Sequence, residues 1–177
     1  MKKTVIKFGL MAGLIASVWM LGSMALCYGS DKFEGSMLLG FSSMIIAFSV
    51  MYPAIKGYRD KHNNGIISFG EAFKMAITIA FIGSTMYVGS WLIDYYFFLP
   101  DFLEKYSAHI MAKAQSGGAT EIAAKTKEVA SMKKWYSSIF GVVFMTYMEI
   151  FPLGLIVAVI ISLILKRKTN PDNAVIA

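Results

Sequence analysis

Four runs of about 20 apolar residues, none with Lys or Arg in its middle, constrain this sequence more than anything else in it. They cover roughly 8–26, 36–55, 72–99 and 137–165, and each is long enough to cross a hydrocarbon layer about 30 Å thick. Backbone left open in lipid has no water to bond to, so such runs fold as helices. The strict apolar–polar alternation of a membrane barrel occurs in none of them. Composition agrees. Apolar residues make up 56% of the 177 and charged ones 16%, against about 25% charged in a soluble domain. That is too apolar for disorder and too sparsely charged to solvate a small globule. The expected fold is therefore all-α: an integral membrane bundle of four transmembrane helices over 1–168, followed by a short polar tail at 169–177.

The net charge is +6, yet the basic residues stand at the ends of the apolar runs rather than on one polar face. This placement speaks for membrane orientation and against nucleic acid as a partner. Lys2, Lys3, Lys7, Lys56, Arg59, Lys61, Lys74, Lys166, Arg167 and Lys168 fall on one side, in short segments close to span ends. Lys32 and the six lysines between Pro100 and Trp135 fall on the other. Both termini are accordingly expected to be cytoplasmic, although Lys133 and Lys134 stand on the opposite side just before the fourth span. The first run also has the basic start of a signal peptide, with Ser23-Met24-Ala25 as a small-x-small site. Its length, and the three spans that follow it, favour an uncleaved span.

Two connections carry information. From Lys56 to Lys74, Asn64-Gly65 marks a tight turn, and Ser68 followed by Glu71 fits a reciprocal capping box that starts the third helix. Lys56, Arg59 and Lys61 beside it are expected to contact anionic lipid headgroups, with a specific phosphorylated ligand as the sharper reading. From Pro100 to Trp135, Leu103, Tyr106, Ile110 and Ala114 recur at helical spacing. Gly117-Gly118 breaks the pattern, and Thr120 offers a cap for a second stretch carrying Ile122, Val129 and Met132. This segment reads as an extracytoplasmic helical hairpin between the third and fourth spans, its stripes turned to lipid, to the bundle or to a partner protein. The short turn Gly29–Gly35 shows no chemistry.

Small residues recur every four positions at Gly9, Gly13 and Ser17, at Ala76, Ala80 and Ser84, and at Gly154, Ala158 and Ser162. Such stripes let helix backbones approach closely in lipid, within one chain or, for the first stripe, between two copies. All three fall in the half of the bilayer nearer the basic side. The opposite half is expected to be looser, filled by Trp19, Phe81, Tyr87, Trp91 and Phe144.

Ionisable groups inside a span cost several kcal/mol or less, depending on depth, and point to function. Asp94, near a span end among Trp91, Tyr95 and Tyr96, is expected to reach water. Glu149 lies about 18 Å into the fourth span, three residues before Pro152, which cannot donate to the Met148 carbonyl. Tyr87 lies at a similar depth in the third span, and Thr146 or Tyr147 stands close by. Glu149 with Tyr87 is thus a candidate proton or cation site, the alternative being a neutral carboxyl hydrogen-bonded between helices. With one cysteine, Cys27, and two histidines, His62 and His109, no disulfide framework, metal site or cofactor is expected. No phosphate-cradling loop, His-Glu-x-x-His or Gly-x-Ser-x-Gly motif is present, so no enzyme is expected.

The stretch Gly57-Tyr58-Arg59-Asp60, Asn64-Gly65 and Ile67-Ser68-Phe69-Gly70-Glu71-Ala72-Phe73-Lys74 resembles the central signature of domain-of-unknown-function family 4199. Leu99-Pro100-Asp101-Phe102 and the terminal Lys166-Arg167-Lys168 fit the same pattern. The resemblance implies a small bacterial inner-membrane protein with four spans, and it brings no activity or site residue. Function is expected to be that of a non-enzymatic scaffold or accessory component, as a homo-oligomer or with a membrane-protein partner. The alternative is a proton- or ion-linked transporter or channel subunit built on Glu149.

Overall fold

The computed structural model describes residues 1–30 and 37–167. Most of the Gly29–Gly35 turn, Lys32, Lys168 and the tail at 169–177 lie outside them. Within the described residues the chain is all-α: α1 (Lys2–Ser30), α2 (Met37–Ser49), α3 (Met51–His62), α4 (Phe69–Ile93), α5 (Phe102–Ala114), α6 (Gly118–Tyr136) and α7 (Ile139–Leu165). A π-helical turn, Asp94–Phe98, prolongs α4, and a 3-10 turn, Gln115–Gly117, joins α5 to α6. Four helices are long and apolar enough to cross a membrane: Lys2–Cys27, Leu38–His62, Phe69–Phe98 and Ile139–Leu165. The second is made of α2 and α3, which meet at Val50. Pro53 has no N–H for the Ser49 carbonyl, so the hydrogen-bond ladder is interrupted there.

α4 lies between α1 and α7, while α2 and α3 touch both of those helices. Contacts along α1 and α4 advance together, Gly9 against Ile82 and Gly13 against Gly83 and Met86, so these helices run parallel. α7 runs the other way, with Gly154 against Ala80 and Phe48, and Tyr147 against Thr85. This direction gathers the starts of α1 and α4 and the ends of α3 and α7, with most of the basic residues, at one end. The α5–α6 hairpin closes the other.

The small residues are where backbones come closest. A methyl on Gly13 would stand 2.7 Å from the Met86 Cβ and 3.0 Å from the Gly83 carbonyl oxygen. Gly9, Gly13 and Ser17 are all buried within the chain, so the first stripe is filled by α4 and is not open to a second copy. Ala76, Ala80, Ser84, Gly154, Ala158 and Ser162 are buried as well. The Ser162 hydroxyl donates to the Ala158 carbonyl at 2.6 Å. The Ser17 and Ser84 hydroxyls find no partner among the described residues.

Outward faces of the long helices are apolar throughout: Leu10, Leu14 and Val18 on α1, Ile45 and Ile46 on α2, and Ile156, Ile160 and Ile164 on α7 are exposed. Water would not tolerate such a continuous apolar mantle on a monomer, and lipid requires it. Trp19, Phe81 and Phe144 belong to this mantle, at 50%, 57% and 47% exposed, and do not fill the interior as their size suggested. Aromatic bulk gives no direction in a helix whose two faces are equally apolar.

The hairpin is built differently. Its exposed surface is polar, and Phe102, Ser107, Ala114 and Val129 are buried. Leu103, Tyr106, Ile110, Ile122 and Met132 are half-buried, so the stripes face inward. α6 begins at Gly118, whose φ of +83° suits glycine alone, and Thr120 lies inside the helix rather than capping it. At the far end of α6 the chain turns sharply. The Ser138 hydroxyl accepts the Gly141 N–H at 3.1 Å, capping α7, and the Trp135 carbonyl sits directly against Gly141.

Candidate functional site

Below the hairpin, the packing opens into a cavity of about 490 Å³. Five helices wall it: Met20 and Met24 from α1, Tyr87 and Trp91 from α4, Phe102 and Tyr106 from α5, Met132 and Tyr136 from α6, and Met145, Thr146, Met148 and Glu149 from α7. Helical spacing explains the selection. Tyr87 and Trp91 stand one turn apart on α4, as do Met132 and Tyr136 on α6, so each pair projects from one face. Thr146 and Glu149 are likewise three apart on α7.

Glu149 is open to this space rather than packed. Among the described residues no hydrogen bond reaches its carboxylate, and α7 runs on through Pro152 one turn below. Tyr87, Tyr106 and Tyr136 all lie within reach of its charge. Burial first, and the Glu149 carboxylate second, push the Tyr136 hydroxyl up to about 12. Tyr106 is raised too, by burial and then by Glu128 and Glu149, with Lys125 opposing. Both hydroxyls therefore remain protonated donors at neutral pH. The Trp91 indole N–H is directed at the Tyr136 hydroxyl.

Aromatic rings hold the hairpin over the cavity. Trp91 meets Phe102 edge to face at 5.0 Å, Phe102 stacks on Tyr106 at 5.5 Å, and Tyr95 meets Tyr136 at 5.4 Å. Each such pair adds about 0.5–1.5 kcal/mol beyond the area it buries. The roof is thereby fastened to the end of α4. The structure thus brings Tyr87, Thr146 and Glu149 to one cavity, while Tyr147 turns away to hydrogen-bond Thr85 at 2.6 Å. Asp94 keeps little contact with water, at 9% exposed. It is buried at the start of the π-helical turn, and its Oδ2 has no hydrogen-bond partner among the described residues. Asp94 stands three positions after Trp91 and seven after Tyr87, on the face of α4 that is turned to the bundle, while Tyr96, Phe97 and Phe98 beyond it are exposed.

At the opposite end, Lys56 and Lys61 are exposed, and Lys56 Nζ lies 5.8 Å from the Tyr52 ring. Arg59 is not available to headgroups as expected. Its guanidinium is buried, with Nε donating to Asp60 at 2.7 Å and Nη1 to the Leu165 carbonyl at 3.3 Å, at the end of α7. Arg59 is drawn in because the last carbonyls of a helix lack intrahelical donors. Its own carbonyl accepts the N–H groups of Asn63 and Gly65, ending α3 in a turn with Asn64 and Gly65 at positive φ. The cap of α4 is half of what was expected. Ser68 accepts the Glu71 N–H at 3.2 Å, but Glu71 takes the Asn63 side-chain amide instead of reaching back. Ile67 and Arg167 then pair through two backbone hydrogen bonds, of 3.0 and 2.8 Å.

A family model described as "Protein of unknown function (DUF4199)" matches residues 7–167. The chain belongs to that family. In this DUF4199 chain the matched region holds the cavity, the Arg59 turn and the Ile67–Arg167 pair alike. None of the curated proteins and none of the solved structures matches it. Among the described residues of the DUF4199 chain, no group of three His, Cys, Asp or Glu stands ready for a metal ion. Sequence reasoning reached Glu149, Tyr87 and Trp91 but missed Tyr106, Tyr136 and the methionines. Tyr106 was visible as a member of the hairpin stripe, and Tyr136 closes the Met132 stripe one turn later. Either signal leads to the cavity once the hairpin is known to fold back over the bundle.

Proposed function

We propose that this protein is a non-enzymatic component of the bacterial inner membrane that handles a proton or a small cation at Glu149. One observation carries the reading: the single acidic side chain deep in the fourth span stands in an accessible cavity with tyrosine hydroxyls around it, rather than between close-packed helices. Ionisable groups in a span, when open to a cavity, mark proton and ion paths. The proposed orientation puts both termini and the basic end in the cytoplasm and the hairpin outside, supported by the convergence of Lys and Arg at one end. Reconstituted in liposomes, the wild type should take up protons or leak cations, and Glu149→Gln should abolish this while leaving the fold intact. Unchanged flux in Glu149→Gln, or no flux in the wild type, overturns the proposal.

A scaffold role for a membrane-protein partner or a second copy is favoured by one feature, the polar outer face of the α5–α6 hairpin. It predicts that Glu149→Gln is silent and that charge reversals on the hairpin strip a partner from native membranes.

A further inference from the structure

The cavity under the hairpin is more specific in its chemistry than a proton site requires. Among the described residues its lining holds one carboxyl, Glu149, and no lysine, arginine or histidine. Its volume of about 490 Å³ is in the range of small-molecule sites, far above the space a lone ion or a few waters need. Trp91, Phe102 and Tyr106 pack on one another, at 5.0 and 5.5 Å between ring centres, and together form one aromatic wall of the cavity. Ring faces turned to such a space attract alkylated ammonium groups, Trp best of the three ring types. Met20, Met24, Met132, Met145 and Met148 fill the remaining wall with unbranched side chains that adjust to irregular apolar shapes.

We propose that this cavity binds a small organic cation, an ammonium carrying apolar groups, with Glu149 as counter-charge and the Trp91, Phe102 and Tyr106 side as its aromatic wall. The proposal rests on Glu149 being the working carboxyl and adds the class of ligand. An anion would meet a carboxyl and no basic side chain, and a neutral apolar molecule would gain nothing from Glu149. The cation is either a soluble amine or the quaternary ammonium of a lipid headgroup, and the two share this chemistry.

The test uses the full chain in phosphatidylglycerol nanodiscs, with benzyltrimethylammonium as probe and its neutral carbon isostere, neopentylbenzene, as control. Calorimetric titration should show saturable binding of the ammonium that Glu149→Gln weakens about tenfold or more, while uptake of the isostere is unchanged. Trp91→Leu should weaken the ammonium as well, and Phe81→Leu, on the outer mantle, should not. If Trp91→Leu fails to fold, Glu149→Gln, nearly identical in shape, carries the test alone. Repeating the titration in phosphatidylcholine nanodiscs assigns the source: a loss of apparent affinity means that the lipid headgroup competes, and an unchanged value means a soluble amine. Equal binding of probe and isostere, or a Glu149→Gln variant that binds the ammonium as the wild type does, overturns the inference. Proton flux that depends on Glu149 without ammonium binding removes this inference and leaves the proposed function standing; loss of both removes both.

Discussion

Replacing Gly141 by Ala is a severe test of how the roof of the cavity is attached. A methyl there would stand 1.8 Å from the Trp135 carbonyl oxygen and 2.7 Å from its carbon, where contacts under 3.0 Å force something to shift. The obstacle is backbone, not the end of a flexible side chain, so the turn between α6 and α7 must open by more than an ångström. Opening it strains the Ser138 N–H to Trp135 carbonyl contact, already long at 3.4 Å, and separates Trp135 from Phe144, now stacked at 5.3 Å. Overpacking of this kind costs about 1–3 kcal/mol. Better helix propensity returns up to about 1 kcal/mol, leaving a net loss of up to about 2 kcal/mol. In a chain of this length that lowers Tm by up to roughly 8 °C. Gly89→Ala is the matched control, since a methyl at Gly89 meets nothing within 4 Å. It keeps the propensity gain without the clash. Thermal unfolding in detergent, followed by tryptophan fluorescence, should therefore move the two variants in opposite directions. If Gly141→Ala is as stable as Gly89→Ala, the tight hinge described here is wrong.

Three further outcomes follow from the same geometry. Arg59→Met removes the donor to the Leu165 carbonyl and should cost about 1.5–3 kcal/mol of thermal stability, with Arg59→Lys failing to restore it and Asp60→Asn causing a smaller loss. Ser68→Ala deletes the cap of α4 and should cost about 1 kcal/mol, read as faster amide exchange at Gly70, Glu71 and Ala72. The Tyr136 hydroxyl is pushed above its unfolded value, so the folded state holds its proton more tightly. The stability linked to it is complete below pH 10 and is lost as pH rises towards about 12. Tm measured across that interval should fall less steeply in Tyr136→Phe than in the wild type, and equal slopes would contradict the buried placement of this tyrosine.

What could be read in advance follows from the physics of lipid. The spans were legible because crossing hydrocarbon demands unbroken apolar length, and the start of α4 because Ser68 is a local chemical signal. Their inward faces were not. A helix surrounded by lipid needs no polar side, so the periodicity that betrays a core in water is weak, and Trp19, Phe81 and Phe144 gave no hint that they point outward. Glycine was the better guide, since Gly9, Gly13 and Gly154 mark contact whatever surrounds the helix. Arg59 misled because a cation near a span end has two outlets, headgroups or an unsatisfied helix terminus. Only the approach of α7 decides between them. Asp94, by contrast, was legible as inward-facing, since it stands on one helical face with Tyr87 and Trp91. The cavity itself depends on five helices, and the hairpin that roofs it is joined to the rest by contacts far apart in the chain.

The backbone pairing of Ile67 with Arg167 has a consequence for where the chain can be shortened. Ile67 is completely shielded, at 0% exposed, and both of its peptide groups are satisfied by a residue two positions beyond the last helix. A stop codon after Leu165 would spare every membrane-crossing residue, yet it would strand an amide and a carbonyl in a dry interior. Truncation scanning from the carboxyl end should thus find a sharp loss of stability at the step that removes Arg167.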